Sequence, residues 1–184
     1  MKVSQNQKKI FSNIIWSFGG KIVNMASALL VGILVARYLG PENYGLMNYV
    51  ISYVAIFTVL SNFGLDNIEI RELSRQNDQK DKILGTCFII RLVCSLIAYL
   101  IIVISLFLYK TDSFTTVMIL VYALSMFTNT GNIFRNYFTS IVENKFIVKT
   151  EISRTVIGAI VKIVLLCVKA PVEYFIFAQL FVIL

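Results

Sequence analysis

Residues 83–109, ILGTCFIIRLVCSLIAYLIIVISLFLY, decide the fold, because these 27 positions contain a single charged side chain, Arg91. A helix of about 20 apolar residues crosses the hydrocarbon core of a bilayer, so this stretch is long enough to span a membrane. The whole chain shares this character: 58% of its 184 residues are hydrophobic and 15% are charged, and its mean hydropathy is +0.78. Soluble domains are nearer half apolar and a quarter charged. The composition therefore predicts a membrane protein.

Long apolar stretches separated by short polar segments predict an all-α polytopic membrane protein with about five full transmembrane helices and a truncated sixth. The predicted spans are residues 10–38, 44–63, 83–109, 114–134, 152–168 and 172–184. Gly40-Pro41 is expected to end the first helix and Gly64 the second, since glycine suits a C-terminal cap and proline cannot continue a helix. The last stretch has 13 residues, fewer than the roughly 20 that a crossing needs. We therefore expect one transmembrane lobe, residues 1–184, cut within its sixth helix.

Lysine and arginine are distributed unevenly between the segments that connect these spans. One side of the membrane carries eleven of them: Lys2, Lys8, Lys9, Arg71, Arg75, Lys80, Lys82, Arg135, Lys145, Lys149 and Arg154. The other side carries three: Arg37, Lys110 and Lys169. Because cytoplasmic loops are enriched in these residues, the N-terminus is predicted to be cytoplasmic. The same distribution accounts for the net charge of +7 without a nucleic-acid partner.

Three cations lie inside predicted spans, namely Lys21, Arg91 and Lys162, while all ten acidic residues fall between spans or at their ends. A cation at the centre of a membrane helix costs about 2.5–3.5 kcal/mol on insertion scales, so such residues usually face a protein interior or a wet cavity. Arg91 lies only about two turns inside its span and could snorkel to the cytoplasmic surface. Cations without acidic partners predict a cavity that binds an anion.

Polar residues recur at helical spacing on four of the spans, which places each set on one helix face. The four sets are Asn13, Ser17, Lys21 and Asn24; Cys87, Arg91 and Ser95; Tyr122, Ser125, Asn129, Asn132 and Asn136; and Thr155, Gly158 and Lys162. The residues predicted to line the cavity are Asn13, Ser17, Asn24, Tyr122, Asn129 and Asn132. The alternative is that the small and hydroxyl residues join helices to one another. Gly19 and Gly20 are expected to allow a bend or a close helix approach.

Enzyme chemistry is not predicted, because the chain has no histidine and its connecting segments are short. Asp66, Glu69 and Glu72, beside Arg71 and Arg75, are expected to form surface ion pairs. The three cysteines lie in apolar spans, and their odd number does not support a disulfide framework or a zinc site. No metal and no cofactor are predicted.

A set of motifs occupies the first seventy or so residues. Its elements are Asn13, Trp16 and Lys21, the string VARYLGPENYG at residues 35–45, Phe63-Gly64-Leu65, and Arg71. This set resembles the N-terminus of bacterial polysaccharide flippases, the O-antigen and capsule repeat-unit transporters of the multidrug/oligosaccharidyl-lipid/polysaccharide exporter superfamily. The resemblance implies two six-helix lobes around a central cavity in the bacterial cytoplasmic (inner) membrane. It also implies alternating-access movement of a polyprenyl-diphosphate-linked oligosaccharide from the cytoplasmic to the outer leaflet.

This resemblance supplies a ligand for the predicted cationic cavity, since lysine and arginine bind phosphate groups. The expected partners are the lipid bilayer, the lipid-linked oligosaccharide and a missing C-terminal lobe. One alternative is a cation-coupled drug or metabolite exporter of the same superfamily, which the absence of an acidic residue from the spans disfavours. Another is a non-transporting membrane scaffold or remnant.

Overall fold

The computed structural model describes residues 2–62, 64–75, 79–141 and 144–183, with side chains at 18–62, 64–75, 79–141 and 146–182. Its helices are α1 (Lys2–Asn62), α2 (Leu65–Arg75), α3 (Lys80–Tyr109), α4 (Ser113–Ala123), α5 (Ser125–Thr128), α6 (Asn132–Ser140), α7 (Asn144–Cys167) and α8 (Val172–Ile183), with a 3-10 turn at Asn129–Gly131. No strand occurs within the described ranges. The prediction of an all-α fold is confirmed.

The long helix α1 consists of two arms that meet at Gly40. The φ and ψ angles of Gly40 are 71° and 174°, a left-handed backbone conformation that glycine adopts without the steric cost of a Cβ atom. Pro41 follows directly and begins the second arm, where a missing backbone N–H costs nothing. Gly64 has a φ of 67° and separates α1 from α2. Both glycines therefore end helices as predicted.

Several helices have the length and composition that a membrane crossing requires. Within the described residues these are Phe18–Arg75, Lys80–Tyr109 and Ser113–Ser140, and a shorter apolar helix covers Val172–Val182. The first of them contains both arms of α1 followed by α2. α7 is not among them, because Glu151, Arg154 and Lys162 lie within it. The chain is a polytopic membrane protein.

α3 shows how the helices divide their surfaces between the core and the bilayer. Its buried residues are Arg91, Ser95, Ala98, Ile102 and Leu106, which form one stripe at helical spacing. The apolar part of this stripe joins a core to which both arms of α1, α4, α5 and α8 also contribute. The opposite face of α3 is apolar and exposed, with Ile89 and Ile104 at 64% and 59% of full exposure. An apolar exposed face of this length fits contact with lipid.

Glycines bring α7 close to two other helices. A Cβ atom on Gly20 would lie 2.6 Å from Cγ1 of Val148, so α1 and α7 approach closely there. A Cβ atom on Gly158 would overlap the side chain of Val182 on α8. Gly19 has open space around it. The predicted close approach is therefore confirmed at Gly20 and absent at Gly19.

Tyr38, a residue of the 35–45 motif, makes two contacts at the end of the first arm of α1. Its hydroxyl donates to the carbonyl oxygen of Ala170 at 3.2 Å. Its ring lies 5.9 Å from that of Phe175, measured between centroids. These contacts fix the end of the first arm of α1 against the turn between α7 and α8.

Candidate functional site

The polar residues of α4, α5, the 3-10 turn and the start of α6 line a cavity, which we call cavity 1. Its volume is about 710 Å³, within the range of small-molecule sites in proteins. The predicted lining residues Tyr122, Asn129 and Asn132 all lie on it. Asn62 of α1 also lines it. The structure therefore brings together four of the five residues of one polar stripe, with an amide from another helix.

The rest of the lining of cavity 1 combines hydroxyl, aromatic and charged groups. These residues include Thr58, Ser125, Thr128 and Thr150, the rings of Phe134, Phe138 and Phe146, and the charged Arg135, Glu151 and Arg154. Nε of Arg135 lies 3.3 Å from Oε1 of Glu151, which joins α6 to α7 beside the cavity. Amides and hydroxyls hydrogen-bond to other hydroxyls, and aromatic faces cover apolar ring surfaces. This combination suits a polyhydroxylated ligand.

A second cavity of about 410 Å³, cavity 2, lies between α1, α7 and α8 and contains Lys162. The ammonium of Lys162 donates to Oε1 of Gln179 at 2.5 Å. Asn24 also lines this cavity, and its Oδ1 accepts a hydrogen bond of 2.6 Å from the Thr155 hydroxyl. No aspartate or glutamate is among the described residues of the lining. Ile51 lines both cavities, so the two adjoin.

Lys21, the cation predicted on the first helix, does not line either cavity. Lys21 is exposed on α1, is absent from the lining of both cavities, and has no bonding partner among the described side chains. The side chains of Asn13 and Ser17 lie outside the described residues. Of the three predicted cations, only Lys162 faces a cavity in the part of the chain that the structure describes.

Arg91 is the main correction to the sequence analysis. Its side chain is 2% exposed, and its Nε and Nη2 atoms donate to the two carboxylate oxygens of Glu69 at 2.7 and 2.9 Å. Nη2 also donates to Oδ1 of Asp66 at 2.6 Å. The expectations that Arg91 has no acidic partner and that it snorkels to the surface are therefore wrong. The physical reason is that α2 folds back against α3 and places two carboxylates beside the guanidinium.

The acidic cluster of α2 is divided between the surface and the interior. Arg71 and Glu72 form the expected exposed pair, with 3.2 Å between Nε and Oε1. The Glu69 side chain is 1% exposed, so the prediction that it forms a surface pair is wrong. A helical period places Glu69 on the buried face of α2 together with Leu65 and Leu73. The argument against a cation-coupled exporter consequently loses its premise, because a carboxylate does lie inside the bundle.

Asn136 completes this network, although its sequence spacing placed it on the cavity stripe. Its Nδ2 donates to Oδ1 of Asp66 at 2.9 Å and to Oε2 of Glu69 at 2.5 Å. Nη1 of Arg91 reaches Oδ1 of Asn62 at 3.5 Å. We call Asp66, Glu69, Arg91 and Asn136 the buried ion network. It joins α2, α3 and α6, and its contact with Asn62 reaches the wall of cavity 1.

Ser95, another residue of the α3 stripe, joins helices as the alternative interpretation expected. Its hydroxyl lies 2.6 Å from that of Ser61 on α1 and donates to the carbonyl oxygen of Met126 on α5 at 3.2 Å. All of these contacts are buried. Ser95 therefore contributes to helix packing and not to a cavity.

The Asp66 carboxyl is expected to make stability sensitive to acid. Burial raises its pKa, but hydrogen bonds from Asn136 and Arg91 and the positive charge of Arg91 together hold the pKa below its ordinary value of 3.8. A carboxyl whose pKa is lower in the folded state contributes stability above its unfolded pKa and loses it as pH falls through the folded pKa. We expect the Asp66→Asn variant to have a lower free energy of unfolding than the wild type. This gap between the two free energies should be constant above about pH 5 and should decrease below about pH 4. Thermal unfolding in detergent across a pH series measures this gap, and a gap that stays constant into acid would contradict the assignment.

Comparison with known proteins adds one match. A family model described as "polysaccharide biosynthesis protein" matches residues 10–184. No curated protein and no solved structure matches the chain. The matched range contains the lining of both cavities and the whole buried ion network.

Proposed function

This chain belongs to the polysaccharide biosynthesis protein family, and from that membership we propose that it is the N-terminal lobe of a flippase for polyprenyl-diphosphate-linked oligosaccharide. A role in polysaccharide biosynthesis or export follows from the family. The lipid-linked repeat unit, its passage from the cytoplasmic to the outer leaflet, and a second lobe that completes the pathway are the proposal.

Cavity 1 is the observation that carries this proposal. Its lining offers three amides, from Asn62, Asn129 and Asn132, together with several hydroxyls and aromatic rings. Such a surface can exchange hydrogen bonds with many sugar hydroxyls while aromatic rings cover the apolar faces of the sugars. The cavity lies beside the second arm of α1, whose exposed residues include Ile56 and Val59. A glycan could occupy the cavity while its polyprenyl tail stays in lipid.

We assign the diphosphate to Lys162 and keep Lys21 as a second candidate cation. The Lys162 ammonium lies in cavity 2 with an amide oxygen as its described partner, so it has protons available for phosphate oxygens. Cavity 2 adjoins cavity 1 at Ile51, which would place the phosphates next to the sugars. Arg91 is left out of this set because two carboxylates already hold its guanidinium.

The orientation in this proposal follows the charge distribution of the connecting segments. The N-terminus and α2 would lie on the cytoplasmic side of the bacterial inner membrane, with the turns at Gly40, Lys110 and Lys169 on the outer side. Eleven basic residues on one side against three on the other support this direction. Cavity 1, whose lining includes Arg135 and Arg154, would then open toward the leaflet where the substrate is made.

Replacement of the cavity residues tests the proposal. We expect Lys162→Gln to reduce export by about 10- to 150-fold, as the loss of a hydrogen bond from a charged group would. Asn129→Ala combined with Asn132→Ala should reduce it by about tenfold, because two neutral hydrogen bonds are lost. The measurements are surface polysaccharide and the amount of lipid-linked repeat unit retained in the cytoplasmic leaflet, in a strain whose own copy is deleted.

The matched control is Lys110→Gln, a lysine outside both cavities, which should leave export unchanged at equal amounts of membrane-inserted protein. Normal export by both cavity variants would overturn the proposal. Accumulation of drugs or metabolites, with unchanged polysaccharide, would instead identify the cation-coupled exporter. A wild-type chain that inserts stably together with the second lobe but restores no export would identify a non-transporting scaffold or remnant.

A further inference from the structure

The segment Ser113–Ser140, which lines part of cavity 1, is a helix without a uniform α-helical hydrogen-bond pattern. Between Ser113 and Ser140 the backbone forms α4, the single turn of α5, a 3-10 turn and α6. A stretch of 3-10 geometry within a helix weakens the backbone hydrogen bonding and often marks a hinge. Within this stretch the buried hydroxyl of Thr130 has no hydrogen-bond partner among the described residues. The direction of α6 must therefore be fixed by tertiary contacts.

Those contacts come mainly from α2, the helix against which α6 packs most extensively. Only two residues of α6 are buried, Ile133 and Asn136. Ile133 supplies apolar contact, which has no preferred direction. The contact that the Asn136 amide makes is directional, because its two hydrogen bonds to Asp66 and Glu69 can form at only one orientation of α6.

The same network is connected to two helices that line cavity 1, α6 and α1. Asn132 and Arg135, which line the cavity, lie four residues and one residue before Asn136 on α6. A rotation of α6 about its axis turns all three side chains by the same angle, because a helix fixes the angle between successive residues at about 100°. Asn62 of α1, which also lines the cavity, accepts from Nη1 of Arg91 at 3.5 Å. The buried ion network is thus connected to lining residues of both α6 and α1.

We propose that Asn136 is a positioning residue, anchored by the carboxylates of Asp66 and Glu69, that sets the rotation of α6 and so directs Asn132 and Arg135 into cavity 1. The charge balance explains why an amide serves here. Two carboxylates face one guanidinium, and the two N–H groups of Asn136 give a second donor to Oδ1 of Asp66 and Oε2 of Glu69, the two oxygen atoms that Nη2 of Arg91 shares. The consequence for transport rests on the proposed function, while the rotation of α6 does not.

The test uses the full chain in membrane vesicles, with Cys87, Cys94 and Cys167 replaced by serine and a reporter cysteine introduced as Asn132→Cys. A water-soluble maleimide measures how readily the reporter is reached. Asn136→Ala removes both hydrogen bonds to charged acceptors, so we expect the modification rate to change by about tenfold or more. Thr139→Ala, on the same helix, removes a hydroxyl that donates only to the carbonyl of Arg135 and should leave the rate unchanged.

A second variant separates positioning from general loss of structure. Asn136→Asp would set a third carboxylate beside Asp66 and Glu69, with Arg91 and Arg135 as the neighbouring cations. Because like charges favour protonation, this variant should regain a donor in mild acid, and the modification rate should return toward the wild-type rate. Because the thiolate is the reacting form, each rate is compared with that of the Asn132→Cys parent at the same pH, and a packing defect would show no recovery of this ratio in acid. If Asn136→Ala fails to insert, Asn136→Ser, which keeps one donor, should give an intermediate rate.

The outcomes distinguish this inference from the proposed function. Unchanged rates in Asn136→Ala and in Asn136→Asp at every pH would overturn the positioning role, whatever the protein transports. A changed rate with pH-dependent recovery would support it even if Lys162→Gln exported polysaccharide normally.

Discussion

Replacing Arg91 by methionine is expected to destabilise the folded chain by about 3–5 kcal/mol, the usual cost of removing one partner of a buried ion pair. The Arg91 and Glu69 side chains are 2% and 1% exposed, so the remaining carboxylate would stay buried without its bidentate partner. Thermal unfolding in detergent, together with the fraction of protein that elutes as a single species, measures the loss.

The control for this variant is Arg71→Met on the neighbouring helix. Arg71 pairs with Glu72 at the surface, with side chains 62% and 29% exposed. Exposed pairs contribute about 0.2–1 kcal/mol, so this change should be small. If Arg91→Met cost no more than Arg71→Met, the buried ion network would have no structural role.

A double variant tests the reason for the loss. Arg91→Met combined with Glu69→Leu removes both buried charges and fills their space with apolar groups. Such replacements are often neutral or stabilising, so we expect the double variant to be more stable than Arg91→Met alone. Asp66, whose side chain is 50% exposed, could then turn to water. A double variant less stable than either single one would show that the pair itself, and not the unpaired charge, dominates.

The second large effect is expected at Gly158, where α7 and α8 touch. Gly158→Ala should destabilise the chain by about 1–3 kcal/mol, the usual cost of overpacking a tight contact. Its new Cβ would overlap one methyl carbon of Val182 and lie 3.2 and 3.3 Å from the other methyl carbon and from Cβ. A β-branched side chain has few alternative rotamers, so the helices must separate. Unfolding in detergent measures the effect.

Two further variants make this prediction specific to the contact. Gly85 lies on α3 with open space around it, and Gly85→Ala should be neutral or stabilising by up to about 1 kcal/mol, because alanine favours a helix. Val182→Ala should restore part of the stability lost in Gly158→Ala by making room for the new methyl group. Equal losses at Gly158 and Gly85 would contradict the close contact.

The membrane class and the helix ends were readable from local patterns. The 27 residues from 83 to 109 are too apolar to be anything other than buried or in lipid, whatever the rest of the chain does. Gly40 and Gly64 could also be identified as helix ends, because the left-handed conformations that they adopt are a property of glycine itself. Local chemistry decides such features, so no tertiary information is needed.

The candidate site was predictable only in part. The stripe of Tyr122, Asn129 and Asn132 does face one cavity, since a helical period is a local property that survives folding. The same helical period predicted that Asn136 lies on this stripe, but its side chain bonds to Asp66 and Glu69 instead. A signal was present in the topology, because α2, the start of α3 and the end of α6 were all predicted on the same side of the membrane.

What the sequence determined by itself is therefore the all-α membrane fold, its helix ends and the polar faces of its helices, because hydrophobicity, period and glycine conformation act within a few residues. The tertiary structure alone decided which of two cations from the predicted spans is paired with carboxylates. Arg91 and Lys162 are both basic residues in apolar stretches, but α2 brings two carboxylates to Arg91, whereas Lys162 meets the amide of Gln179. Glu69 is 22 residues from Arg91 along the chain, and electrostatic energy depends on distance in space.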